Sequence, residues 1–211
     1  MKILLVGYGK INKLIYEKAK ENVIGIIDEI TEYISDTPDV IIDFSHPDFL
    51  DKTIDKAIKY NSKVIIGTTG YNELKMAQIK DLSNVNAVLK CENFSTGIIL
   101  LKSILKDYKL KLDKYYKTIT ETHDIYKKDS PSGTAIALGK IINTNNIISY
   151  RQLNAVGKHE LIFENIDEKI TITHEALNRN LFVEKIIDTA FWLLKQKPGL
   201  YTVEDVCDEQ L

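Results

Sequence analysis

The sequence predicts an α/β protein: a Rossmann-type parallel sheet, then a second, smaller α+β substrate domain built on an open mixed sheet. Three observations carry this. The first half alternates short β-branched runs with longer amphipathic segments, the pattern of strands joined by crossover helices. Its glycine and polar residues collect at the carboxyl ends of those runs, where open parallel sheets bind ligands. In the second half the strand-like runs alternate in polarity, as in a sheet with only one face covered.

Lys2 to Val6 reads as a buried strand, followed by a glycine turn and a helix through about Glu21. Val23 to Ile27 is a second strand ending on Asp28, and Val40 to Phe44 a third. Pro47 opens a helix to about Tyr60, since proline in a first turn sacrifices no hydrogen bond. Lys63 to Gly67 is a fourth strand, followed by a helix from about Glu73 and a strand at Ala87 to Leu89. The second half predicts a helix from Thr96 to Leu110, a half-buried strand from Tyr115 to Thr122, and a helix from Ser132 to about Asn143. Two alternating runs follow, His159 to Phe163 and Lys169 to His174. A closing helix runs through Leu194 to a stop at Lys197-Pro198-Gly199 and a short tail. The expected division is 1–93 with 184–211 for dinucleotide binding, and 94–183 for substrate binding and oligomerisation.

The 211 residues are 44% hydrophobic and 27% charged, with net charge -2 and pI about 6.1. That balance points to neither nucleic acid nor an acidic membrane as a partner. Arg151 and Arg179 are the only arginines, so anion binding falls mainly to lysines and backbone amides. Cys91 and Cys207 read as small buried hydrophobes in a reducing compartment. No metal-ligand spacing, signal peptide or membrane span is evident, and a cytoplasmic location is expected.

Gly7-Tyr8-Gly9-Lys10-Ile11-Asn12 follows the first strand and opens a helix. Glycines there let the backbone approach a pyrophosphate, and the helix N-terminus offers amides and partial positive charge. Asn12 replaces the third glycine of the usual fingerprint. Asp28 ends the next strand, where an acid accepts bonds from ribose hydroxyls. Gly67-Thr68-Thr69-Gly70 reads either as a turn with hydroxyl caps or as a cofactor contact on the same rim. The loop Glu121-Thr122-His123-Asp124-Ile125-Tyr126-Lys127-Lys128-Asp129 leads into Ser130-Pro131-Ser132-Gly133-Thr134-Ala135. It concentrates a histidine, lysines and acids before a helix start suited to a carboxylate, or it is a solvated loop ending in an N-cap. His46 reads as a helix cap, His159 and His174 as structural, and Glu121 and Asp129 as orienting groups.

This loop resembles the signature of the 4-hydroxy-tetrahydrodipicolinate reductases (dihydrodipicolinate reductases) of lysine and diaminopimelate synthesis, E-x-H-H-x-x-K-x-D-A-P-S-G-T-A. The resemblance extends in order through Ile42-Asp43-Phe44-Ser45-His46-Pro47, Asn93-Phe94-Ser95-Thr96-Gly97, Val156-Gly157-Lys158-His159-Glu160 and Pro198-Gly199-Leu200-Tyr201-Thr202-Val203-Glu204-Asp205-Val206. It implies NAD(P)H-dependent reduction of a small cyclic dicarboxylate, with His123 as proton donor and acceptor and Lys127 as proton donor. Ser132, Gly133 and Thr134 would hold a substrate carboxylate. Gly7 to Asn12, Asp28, Gly67, Thr68, Thr69, Cys91, Glu92, Asn93 and Phe94 would contact the cofactor. A homo-oligomer, usually a tetramer formed through the second domain's sheets, is implied as well.

Two departures stand out. Asp124 takes the place of the second histidine, a substrate contact in the family, so the resemblance implies a substrate contact at Asp124; an acid there would repel a dicarboxylate unless nearby lysines compensate or it points away. The stretch between Asn143 and Gly157 is also abbreviated. Asp28 followed by Glu29 favours NADH over NADPH, because a 2′-phosphate would meet two acids. Rival readings are another two-domain amino-acid dehydrogenase and a dinucleotide-binding regulator without catalysis.

Overall fold

Strands buried on both faces must be apolar on both, and the larger sheet is assembled from such runs. The structure, a computed structural model, describes residues 1–208. The chain divides into two compact units, Met1–Phe94 with the segment from Phe182 onward, and Ser95–Leu181.

In the first unit, β1 (Ile3–Val6), β2 (Val23–Ile27), β3 (Glu32–Ile34), β4 (Val40–Asp43), β5 (Lys63–Ile66), β6 (Ala87–Lys90) and β11 (Gly199–Tyr201) form one sheet in the order β11-β6-β5-β4-β1-β2-β3. All neighbours run parallel except β2 and β3. Leu4, Val6, Ile41, Val64 and Ile66 share a core with Leu50 and Ala57 of α2 (Leu50–Tyr60) and Ile79 and Leu82 of α3 (Glu73–Ser83). Ile3, Leu5, Ile42 and Ile65 point the opposite way and are equally buried. α1 (Lys10–Ala19) contributes buried Ile15, and α6 (Asn180–Leu193) buried Val183, Ile186, Ala190 and Leu193. The strand order reverses direction at β1, with β2 on one side and β4 on the other, which places the ligand-binding crevice of such a sheet at the β1 carboxyl end.

The second unit pairs β7 (Tyr116–His123), β8 (Ile147–Arg151), β9 (Gly157–Glu164) and β10 (Lys169–Ala176) in the order β10-β9-β7-β8. β7 and β8 are parallel, and the other pairs are antiparallel. Ile119, Leu161 and Phe163 pack against Ile98, Leu101 and Leu105 of α4 (Thr96–Leu112) and Ala135, Leu138 and Ile142 of α5 (Gly133–Ile142). The opposite face carries the exposed Tyr116, Ile148 and Tyr150.

Three strands differ from the sequence-based expectation. β3 and β11 are three-residue edge strands, too short to show an alternation. β11 and the helix α7 (Val203–Asp208) occupy what the sequence reads as a stop and a tail. β8 lies in the stretch read as a shortened connection, and it pairs with the strand that ends in His123. Cys91 is buried, whereas the side chain of Cys207 lies outside the described residues. Among the described residues no helix is long and apolar enough to cross a membrane. No group of three or more His, Cys, Asp or Glu among them could hold a metal ion.

Candidate active site

The glycine turn at the end of β1 is shaped by a close approach. Gly7 adopts φ +80, and a Cβ there would lie 2.6 Å from the Phe44 carbonyl oxygen and 2.7 Å from Ser45 Cα. Only glycine accepts both conditions. Gly9 is exposed at the N-cap of α1, where no side-chain cap and no acid claims the first-turn amides. Tyr8 is half-buried, Lys10 exposed and Ile11 half-buried. Asn12 is fully buried and donates from Nδ2 to the carbonyls of Val6 and Gly7, both at 2.8 Å. Its side chain braces the turn, so the turn's backbone and not this amide is what a ligand meets.

A cavity of about 340 Å³ opens beside this turn, lined by Gly7, Gly9, Asp28, Glu29, Phe44 and Ser45 among others. Asp28 Oδ1 accepts from the amides of Ile30 (2.9 Å) and Thr31 (2.6 Å), which shapes the turn after β2. Those amides, Thr31 first, hold the Asp28 carboxyl below the usual carboxylate range. A groove with an uncapped helix N-terminus and an ionised acid beyond it fits a dinucleotide's pyrophosphate and ribose.

The other rim residues divide between backbone and core. Gly67 follows β5 and donates its amide to the Asp43 carbonyl at 2.8 Å, while Thr69 is exposed. The Thr68 hydroxyl accepts from Ser45 N and donates to Asp43 Oδ1, both at 2.8 Å. Asp43, fully buried, also accepts from Ser45 Oγ (2.5 Å) and Thr53 Oγ1 (2.7 Å). This carboxylate clasps the loops after β4 and β5, a role not assigned from sequence although an acid ending an all-apolar strand signals it. Cys91 Sγ lies 3.0 Å from the Asn93 carbonyl, and Glu92 pairs with Lys90 at 3.3 Å. Phe94 is in the core, its ring 5.8 Å from that of Phe44.

In the second unit, β7 delivers Glu121 and His123 to the covered face of the sheet. Glu121 is fully buried, and its Oε2 is hydrogen-bonded to His123 Nδ1. Its other oxygen accepts from Arg151 Nη1 at 3.1 Å. Burial alone would raise the Glu121 carboxyl, but its neighbours Ser149, His123 and Arg151 hold it below the usual range. His123 is shifted the opposite way from what its acid partner dictates. Burial lowers its pKa, Glu121 opposes this, and the charges of Lys127 and Arg151 add to the lowering. With Nδ1 anchored, Nε2 is the nitrogen left to exchange protons, and it lies 3.1 Å from where a Cβ on Gly157 would be. Glycine at 157 keeps that nitrogen unobstructed.

Lys127 Nζ pairs with Asp129 Oδ1 at 2.8 Å. Partial burial would raise the Asp129 carboxyl, but Lys127 and the amides at Asp129 and Gly133 more than offset it. Ser132 is the buried N-cap of α5, accepting from Ala135 N at 3.2 Å, and Gly133 and Thr134 form the half-buried first turn. Asp124 is committed to backbone: Oδ1 accepts from Tyr126 N (3.0 Å) and Oδ2 from Asn154 N (3.1 Å).

His159, read from sequence as structural, is 3% exposed, with its ring centroid 5.2 Å from His123 in an edge-to-face arrangement. Its Nε2 lies 3.3 Å from Ser132 Oγ. Burial, reinforced by His123 and His174, pushes its pKa down to about 3, so this ring is neutral beside His123. Arg151, singled out from sequence only as one of two arginines, is a group that sequence reasoning did not place at the site, because its position depends on β8.

Family models described as dihydrodipicolinate reductase, N-terminus, and dihydrodipicolinate reductase, C-terminus, match residues 15–94 and 97–207. The 4-hydroxy-tetrahydrodipicolinate reductase of Thermosipho africanus is 37% identical over 214 residues, covering 99% of each chain. That of Rickettsia akari is 38% identical over 212 residues, covering 92% of this chain and 86% of its own. Among solved structures, a dipicolinate-bound dihydrodipicolinate reductase from Paenisporosarcina sp. TG-14 superposes with TM-score 0.71 at 20% identity, covering 98% of this chain and 99% of its own. An aspartate dehydrogenase from Thermotoga maritima shares the fold more loosely, with TM-score 0.52 at 15% identity over 93% of this chain and 97% of its own.

Proposed function

The chain belongs to the dihydrodipicolinate reductase family, and from that premise we propose that it reduces 4-hydroxy-tetrahydrodipicolinate to tetrahydrodipicolinate in lysine and diaminopimelate synthesis. The observation that carries the reading is the anchored pair in one loop. His123 is held through Nδ1 by a buried carboxylate, and Lys127 is four residues on, just before the α5 N-terminus.

The 4-hydroxyl leaves with a ring hydrogen as water, giving a conjugated cyclic imine to which NAD(P)H, when bound, would supply the hydride. The residues of this chain do the rest. The Gly7–Asn12 turn and the amides of α1 bind the pyrophosphate, and Asp28 accepts from the ribose through its second oxygen. The Gly133 amide and Thr134 hydroxyl hold a substrate carboxylate at the partial positive charge of α5. His123 Nε2 delivers the proton that the reduced ring requires, and the Lys127 ammonium neutralises developing negative charge or protonates it. Ser132 caps α5, and Asp124 braces its loop. A regulator without catalysis is not favoured, since both proton-handling groups are present and anchored.

NADH is the preferred cofactor in this reading, because Glu29 follows Asp28 in the cavity and no arginine lines it. The protein works in the cytoplasm as a homo-oligomer, most simply a tetramer, joined through the open sheet face that exposes Tyr116, Ile148 and Tyr150. The direct test couples the purified protein to a dihydrodipicolinate synthase supplied with pyruvate and aspartate semialdehyde. Loss of the reduced nicotinamide's near-ultraviolet absorbance that depends on the synthase supports the activity. No loss with either NADH or NADPH would reject it.

A further inference from the structure

Arg151 is the last residue of β8, and the parallel register sets it directly beside His123. Its guanidinium makes three contacts: one on β7, one on its own strand and one in the loop after β7. Nη1 donates to Glu121 Oε1 at 3.1 Å and to the Tyr150 carbonyl at 2.7 Å. Nη2 donates to the Asp129 carbonyl at 2.7 Å. Glu121 is the buried carboxylate that orients His123, and Asp129 is the residue whose carboxylate holds Lys127. One planar fork therefore ties the strand that carries the histidine to the backbone that carries the lysine's partner.

We propose that Arg151 is a positioning residue that sets the His123 imidazole and the Lys127 ammonium in register with one another, through Glu121 on one side and Asp129 on the other. This rests on the reductase reading of the site. The fork matters because a guanidinium presents donors in a fixed plane, whereas an ammonium is a point charge that cannot span both acceptors at once. A second reason is Glu121 itself. Both its oxygens are engaged in a fully buried position, and removal of Arg151 takes away the one cation bonded to Oε1, leaving the Ser149 hydroxyl as its neighbour on β8. The groups facing His123 from every packed element are Glu121 on its own strand, Arg151 on β8, His159 on β9 and Lys127 in the loop. Of these only Arg151 and Lys127 are cations at neutral pH, so loss of Arg151 lets His123 keep its proton to higher pH.

The test compares Arg151→Lys and Arg151→Met with the parent by kcat, KM, the pH profile of kcat, NADH binding, and NMR titration of the His123 ring. Arg151→Lys should lower kcat at least tenfold while leaving the His123 titration near its parental position, because charge is kept and the fork is lost. Arg151→Met should lower kcat further and move both the His123 titration and the matching pH limb upward. NADH binding, which belongs to the other unit, should stay within twofold. A lysine variant with kcat within twofold of the parent overturns the proposal. So does a folded methionine variant whose His123 titration does not move; if that variant does not fold, the lysine variant decides alone. A parent protein without reductase activity would instead reject the functional reading, and the NMR titration would still report on Arg151.

Discussion

At the scale of single residues, the site separates groups that handle protons from groups that hold them. In the proposed function His123 and Lys127 belong to the first kind, and neither is part of an apolar core cluster. His123→Gln and Lys127→Ala should each lower kcat by on the order of a hundredfold or more, the range of a positioned proton donor. Thermal midpoints should change little, which calorimetry on the same samples checks. Near-parental kcat in both variants would remove the proposed proton path. Asp124 is of the second kind. Its oxygens accept from Tyr126 N and Asn154 N, so the carboxylate faces backbone and carries no repulsion that a histidine would relieve. Asp124→His should therefore not lower KM for substrate. Instead it should lower kcat several-fold by freeing the loop, and a fall in KM would show that the acid faces the dicarboxylate after all.

At the scale of elements, β9 and β10 bring His159 and His174 into direct cross-strand register, and each ring meets the serine that caps a helix. His159 Nε2 meets Ser132 Oγ at α5, and His174 Nε2 meets Ser95 Oγ at α4, at 2.9 Å. The sheet thus holds both helix starts through paired imidazoles. A buried neutral histidine has a pH consequence with a definite sign. The pKa of His159 falls from 6.5 to about 3 on folding, so the unfolded chain takes up this proton first. Its contribution is complete above about pH 6.5 and declines as pH falls toward 3, at about 1.4 kcal/mol per pH unit. Replacing His159 with Asn should remove about one proton's worth of that slope. Urea unfolding at half-unit pH steps measures it, and identical slopes in parent and variant would refute the assignment. The carboxylates Glu121 and Asp129, both held low, add their own loss at more acidic pH in either protein.

At the scale of the whole molecule, the proposed function makes the first unit's groove the place where NADH and NADPH are told apart. Asp28 and Glu29 lie together in it, so a 2′-phosphate loses a charge-assisted hydrogen bond of roughly 1.5–3 kcal/mol and meets two acids. Solvent screens the repulsion at the exposed rim to about 1 kcal/mol or less. With about 1.4 kcal/mol per tenfold, kcat/KM should favour NADH by on the order of tenfold. Glu29→Arg should shift the ratio toward NADPH. Equal values in the parent, or no shift in the variant, would show that these acids do not read the ribose.

The parallel sheet was legible in the sequence because burial on both faces leaves near-continuous β-branched runs, and the turn between β1 and α1 because its glycines mark a tight backbone approach. The loop from Glu121 to Ala135 was legible because its chemistry is contiguous in the chain, and Glu121 and Asp129 were readable as orienting groups for the same reason. Tertiary structure alone decided the rest. β3, β8 and β11 are held by pairing with a neighbour already in place, and runs of three to five residues show no period of their own. The backbone partner of Asp124 Oδ2 is likewise invisible in the loop's own sequence, because the amide comes from Asn154 in the β8–β9 turn. Arg151 and Glu121 are 30 residues apart, and His159 is 27 residues from Ser132, the residue its Nε2 meets. Only the registers of β7 with β8 and of β7 with β9 bring these groups around His123, and strand register is set by which faces are buried across the whole sheet, not by any local segment.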